Sequence, residues 1–311
     1  MASKPIANVP AAFEKMPEEG VLLEIAIDVS EMPRGGHIQG IQWRRDFTAG
    51  RQWAFLSHDS QTVGYLVVAE FPLELPAEGR VIHVLRYPSD GKQPPLRHAG
   101  GIQVVDEVLV VGVEDNQDKT RSEIQFWSVA TPILPAPLEH LTIPRSGAPK
   151  DKTAGGVGLV AHAGGHVVAV ANWDSRAVDF YTSNGKPLAD KECRFSFTKR
   201  WQDASAEKVH WQPDRSFGSY QAVNLVADTD DKVYLIGFDT AFPNSDLVEL
   251  FAVDLAQPAA RLLQKVASHR VELEADNHFR SGGGIWIDEG RLAWLATPRN
   301  VSATTRITLG K

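Results

Sequence analysis

Apolar and polar residues fall along this chain in short runs separated by turn-forming residues. WAFLSHD (53–59), GYLVVAEF (64–71), VLVVGVED (108–115), VVAVANWD (167–174) and LVELFAVD (247–254) show either the two-residue period of a half-buried strand or the continuous apolar core of a buried one. Helical periodicity is almost absent, and only residues 11–15 read as a short helix. The pattern predicts an all-β protein.

The runs also repeat as a group. Five related units open at His37 (HIQGIQ), His98 (HAGGIQ), Thr153 (TAGGVG), Ser219 (SYQAVN) and Ser281 (SGGGIW), about 60 residues apart. The fourth residue of each is tiny (Gly40, Gly101, Gly156, Ala222, Gly284), a β-branched residue follows, and a turn then leads into a second apolar run. The turns are Thr48-Ala49-Gly50, Asp106-Glu107, Ala163-Gly164-Gly165, Asp230-Asp231 and Asp288-Glu289-Gly290, the chemistry of tight hairpins. Most units add third and fourth runs, LEHLTIP being the fourth of the second unit and CRFSFTK, with Cys193, that of the third.

Four strands repeated five times resembles the five-bladed β-propellers, in which four-stranded blades surround a central channel. The resemblance is architectural, covers nearly the whole chain and implies one propeller domain over residues 1–311. Small residues at the fourth position suit innermost strands that converge on a narrow axis. The fifth unit lacks an outer strand, and the run at 21–29 (VLLEIAIDV) is expected to complete it and close the ring.

Net charge is −7, with 32 basic and 39 acidic residues, so nothing draws the chain to nucleic acid or anionic lipid. No apolar run approaches the ~18 to 20 residues of a membrane-spanning helix. Residues 1–16 carry Pro5 and Pro10 and no apolar signal core, which points to the cytoplasm, or to secretion after removal of a leader. A single cysteine, Cys193, rules out an intramolecular disulfide and any zinc site built from several thiolates.

In an antiparallel hairpin the start of the first strand lies beside the end of the second. Two columns of polar residues are therefore expected at one mouth of the channel. The first holds His37, His98, Thr153, Ser219 and Ser281, flanked by Gln39, Tyr220, Gln221 and Arg280; the second holds His58, Asp59, Glu114, Asp115, Asn172, Asp174, Asp239, Arg299 and Asn300. Convergent polar groups in a concavity predict a small-molecule site. We expect His37, His98, Asp59, Asp115, Asp239 and Arg299 to serve catalysis, and Gln39, Glu114, Asp174, Tyr220, Gln221 and Arg280 to contact ligand. One mechanism uses a histidine base, a carboxylate that orients it and Arg299 on developing negative charge. Another has His37 and His98 bind a divalent metal with one or two acids. The structural alternatives stand beside these: each aspartate is also an ordinary turn former, each histidine can fix a neighbouring loop, and Gln42 and Gln103 can join blades.

P-loop, HExxH and GxSxG motifs are absent. GVGLVA (156–161) leads into another strand rather than a helix, so no nucleotide cofactor is expected. Propellers resembling arabinanases and invertases place carboxylates near the axis, whereas the first inner strand here opens with His37; tachylectin-like lectins use near-identical blades, whereas these differ in loop length and strand ending. The reading is one asymmetric site, hydrolase or lyase. The alternative is a non-catalytic propeller that binds a protein or glycan through exposed aromatics, with Trp201 and Trp211 as candidates.

Overall fold

In the computed structural model, which describes residues 4–89, 91–241, 245–274 and 276–311, the runs become five blades of antiparallel strands. A six-residue helix α1 (Val9–Glu14), capped by Asn8, precedes strand β1 (Val21–Ala26). Blade 1 is β2 (Ile38–Asp46), β3 (Arg51–His58), β4 (Tyr65–Pro72) and β5 (Glu78–Arg86). Blade 2 is β6 (His98–Val105), β7 (Val108–Glu114) and β8 (Arg121–Ser128), with β9 (Ala136–Pro137) and β10 (Ile143–Ser146) sharing its outer edge. Blade 3 is β11 (Gly156–His162), β12 (Gly165–Ala171), β13 (Ala177–Ser183) and β14 (Phe195–Gln202). Blade 4 is β15 (Ala222–Ala227), β16 (Val233–Ala241), β17 (Ser245–Val253) and β18 (Leu263–Val271). Blade 5 is β19 (Asn277–Asp288), β20 (Arg291–Pro298), β21 (Thr304–Gly310) and, from the other end of the chain, β1.

All five predicted hairpin turns contain a residue with positive φ: Gly50, Asp106, Ala163, Asp231 and Glu289. Two expectations shift. Residues 139–141 of LEHLTIP form a 3-10 turn, leaving only the short β9 and β10, because Pro137 and Pro144 donate nothing to a ladder and are tolerated only on its edge. Cys193 lies in the turn before β14, not in a strand, where it is wholly buried with Sγ 3.4 Å from the carbonyl of Lys186.

The tiny fourth residues sit where the inner strands meet. A Cβ on Gly101 would lie 2.7 Å from Cα of Ala222, one on Gly40 would lie 2.9 Å from Cα of Gly101, and one on Gly284 would overlap the carbonyl of Ile41. Below them amide side chains join the blades. Gln42 donates to Asn224 (2.9 Å), and Gln103 accepts from the N–H groups of Leu159 (2.9 Å) and Leu225 (2.8 Å). Gln42 and Gln103 are therefore inter-blade partners, as one of the alternatives anticipates.

The apolar core is divided among the five clefts between adjacent blades, with α1 packed against blades 4 and 5. An ion network crosses from blade 2 to blade 3. Buried Arg145 of β10 donates to Asp179 (2.7 Å) and to the hydroxyl of Tyr181 (3.1 Å), and Arg200 grips the same carboxylate at 2.5 and 2.9 Å. Burial alone would raise the pKa of Asp179, but Arg200 and Arg145 hold it down at about 2. A carboxylate whose folded pKa lies below its unfolded one stabilises fully above the unfolded value and loses that contribution as pH falls through the folded one. Asp179 is expected to contribute about 2 kcal/mol at neutral pH, lost between about pH 4 and 2. Urea titrations of Asp179→Asn should show a flatter pH dependence in that window, and an unchanged slope would place the acid sensitivity elsewhere.

Candidate active site

Strand register puts the two predicted columns side by side: Ile38 pairs with His58, His98 with Glu114 and Ala222 with Phe238. What converges at this mouth is narrower than the columns. Blades 1, 2 and 4 bring together His37, Gln39, Asp59, His98, Glu114 and Gln221.

Gln39, fully buried, is the hub. Its Nε2 lies 3.3 Å from Nε2 of His37 and 2.9 Å from Nε2 of His98, and its Oε1 accepts from Gln221. Nδ1 of His37 donates to the carbonyl of Ile38 (2.9 Å), which fixes that ring with its Nε2 lone pair toward the channel. The backbone N–H of His37 donates to Asp59 Oδ1. Asp59 lies against Gly36, where φ is +73 to +77 across the Gly35-Gly36 pair and a Cβ on Gly36 would sit 2.6 Å from Oδ1. Only glycine gives both that backbone and that clearance.

His98 is buried, with Nδ1 3.1 Å from Glu114 Oε1, close enough for an ion pair although off line for a hydrogen bond. The other carboxylate oxygen of Glu114 accepts the N–H of Ala154. The ring of Trp173 lies 6.2 Å from that of His98, and the ammonium of Lys119 sits 3.6 Å from the centre of the Trp173 ring.

These surroundings pull the histidines apart. Burial, reinforced by the charges of Arg299 and His98, lowers the pKa of His37, against the opposing Ile38 carbonyl and Asp59. Burial also opposes protonation of His98, but Glu114 and Asp59 outweigh it and raise its pKa. His58 is held neutral, its pKa lowered to about 4 chiefly by burial, with its ring stacked 4.7 Å from Tyr65.

Several expected site residues have other employment. Asp115 accepts the backbone N–H groups of Gln117, Asp118, Lys119, Thr120 and Arg121, so its carboxylate organises its own loop. Tyr220 is buried and donates to Glu249 (2.5 Å) beneath the surface, where burial and that carboxylate push its phenol far up. Asp174 is exposed in a left-handed turn, and Arg280 is exposed with its backbone N–H on Thr240 (3.1 Å). Asp239 accepts from Thr240 (2.9 Å); burial and Glu249 raise its pKa against Arg176 and Arg280, so its surroundings belong to blade 4 and the blades on either side of it and not to the histidines. Arg299 is exposed at the mouth, its carbonyl accepting from Ile38 N–H (2.9 Å). Trp201 and Trp211 are core residues, their rings 6.1 Å apart, so neither is the exposed aromatic that the partner-binding alternative expects of it. Lys119 carries no signal in the sequence, since one lysine in a polar loop makes no pattern.

Among the described residues no three His, Cys, Asp or Glu side chains gather as a metal site. The Gln39 amide also lies between the two imidazoles that a shared ion would need. A cavity of about 710 Å³ opens at the opposite mouth, lined by Trp43, Arg45, Trp286 and Asp288 among others. Its arginines are already engaged, Arg45 by Asp288 (2.8 Å) and Arg44 by Glu107 (3.1 Å), so side-chain chemistry rather than volume points to the histidine mouth.

No protein-family model matches the sequence, and no curated protein sequence matches it. Solved structures do. The α-L-arabinofuranosidase of Podospora anserina, in complex with cellotriose, is 11% identical and superposes with a TM-score of 0.50 over 95% of this chain and 98% of its own. The fructofuranosidase of Schwanniomyces occidentalis is 11% identical with a TM-score of 0.50, over 98% of this chain and 58% of its own. A putative glycoside hydrolase from Bacteroides ovatus is 9% identical with a TM-score of 0.50, over 100% and 97%. At such identities the likeness shows the fold, a five-bladed β-propeller whose last blade is completed by the N-terminal strand.

Proposed function

We propose that this protein is an enzyme acting on a small molecule at the histidine mouth, a hydrolase or lyase, with His37 as general base and His98, held by Glu114, as general acid. One observation carries the reading: a single buried amide, Gln39, reaches both imidazoles, and their surroundings move their proton affinities in opposite directions. A pair of titratable groups driven apart in this way is how one site holds a base and an acid at the same pH.

In hydrolysis, Nε2 of His37 takes a proton from water as the hydroxide oxygen bonds to the substrate. The leaving oxygen takes the proton from Nε2 of His98 as its own bond breaks. In elimination, His37 takes a carbon-bound proton instead, and its electron pair becomes the new double bond as the same leaving oxygen departs. Arg299 stands beside His37, suited to developing negative charge. The glycosidases that share the fold support a carbohydrate as the class of ligand and hydrolysis as the reaction.

The imidazole resonances test this directly. His98 is expected to titrate above 6.5 and His37 below it, each assigned by its disappearance in His98→Gln or His37→Gln. Glu114→Gln should lower the His98 midpoint, because the ion pair that favours its charged form is gone. The folded-state proton on His98 stabilises below pH 6.5 and is lost as pH rises through the raised value, so Glu114→Gln should matter more at pH 6 than at pH 9. Two histidines titrating together near 6.5 would end the acid–base assignment.

A further inference from the structure

At the histidine mouth of this acidic chain, Lys119 and Arg299 are the cations whose charges act on His98 and His37. Among the described residues neither Lys119 nor Arg299 forms an ion pair, although acidic residues outnumber basic ones 39 to 32 over the whole sequence. Both are close to the reacting groups. Arg299 is tied by its carbonyl to Ile38, the residue after His37, and its charge is felt at His37; Lys119 is felt at His98.

Lys119 is also placed by the fold. Its N–H donates to Asp115 Oδ1 (3.0 Å), its carbonyl accepts from Lys150 (2.7 Å), and its backbone adopts φ +59. The side chain then lies over the face of Trp173, where the ring stabilises the ammonium without neutralising it. Asp115, by accepting the Lys119 N–H, sets the backbone from which that side chain projects. An ammonium beside one histidine and a guanidinium beside the other are arranged for an anion spanning neither alone. A neutral sugar would offer neither charge a counterpart.

We propose that the substrate carries a carboxylate, seated between Lys119 and Arg299 while its reacting centre lies over His37 and His98. This rests on the reading above and narrows it to an acidic substrate class, such as a sugar acid or a hydroxy acid. A carboxylate brought to these cations makes charge-assisted contacts with each.

Binding of galacturonate, lactate and galactose, measured by calorimetry at low and high salt on the full chain, tests it. Galacturonate is expected to bind, at least tenfold more weakly in Lys119→Met or Arg299→Gln, and more weakly with added salt. Galacturonate alone would identify a sugar acid; lactate binding equally would identify the carboxylate itself as the recognised group. Galactose binding as tightly as galacturonate, carboxylate affinity within twofold of wild type in the double variant, or no carboxylate binding at all would each overturn the proposal. Both side chains are at the surface or its edge, so melting temperatures of the variants should match wild type and keep the comparison interpretable. The two readings fail separately. Histidines that titrate apart while only the neutral sugar binds would overturn the anion and leave the acid–base pair, whereas carboxylate binding to histidines that titrate together would do the reverse.

Discussion

Deletion of residues 1–30 is expected to abolish cooperative thermal unfolding. Strand β1 pairs antiparallel with β21 over six positions, from Val21 with Leu309 to Ala26 with Thr304, and on its other side pairs in parallel with β5 of blade 1 at Glu24 to Ala26. It is both the fourth strand of the last blade and the seam between last and first. The deleted segment also supplies Ile6, Val9, Phe13, Met16, Leu23, Ile25 and Ile27, all buried. At roughly 1.5 to 3 kcal/mol for each large apolar side chain removed from water, their loss is on the order of 10 kcal/mol. That is comparable with the whole ~5 to 15 kcal/mol by which a domain is stable. The edges of β21 and β5 would be left open, so aggregation should accompany the loss. A truncated protein that still melts in one transition within a few degrees of wild type would show that the ring does not depend on this closure.

The second large effect is expected at Lys265, whose side chain is 0% exposed on β18. Its ammonium contacts Glu249, lies 2.8 Å from Asp214 and 3.0 Å from the hydroxyl of Ser216, while Glu249 also accepts from Tyr220. Removing one member of a buried ion pair leaves the other charge uncompensated, which costs about 3 to 5 kcal/mol. Lys265→Met should lose that much in urea unfolding, because Glu249 would remain as a buried carboxylate. Lys265→Met with Glu249→Gln should recover most of it, since the amide carries no charge and can still accept from Tyr220. A loss below about 1 kcal/mol in the single variant would mean that water reaches Glu249, against its burial.

Asp115 and Tyr220 mark how far the candidate site could be read in advance. Both stand in the predicted columns, and register puts them at the expected end of their strands. Position at a strand end does not fix where a side chain finds its hydrogen bonds. Asp115 is consumed by the N–H groups of the loop that follows it, and Tyr220 turns inward to a glutamate on the neighbouring strand pair. His37 and His98 come together because Gln39 reaches both, and Gln39 in turn accepts from Gln221, 182 positions along the chain.

By itself the sequence determined the strands, the hairpin turns, the five blades and the N-terminal strand that closes the ring. Those features follow from local alternation, from residues that tolerate positive φ, and from the room that a narrow axis leaves for a Cβ. The tertiary structure decided which polar residues at the mouth come together around Gln39 and which are spent on backbone or core. That outcome depends on the path of each loop and on partners brought from other blades, and neither is encoded in the period of a strand.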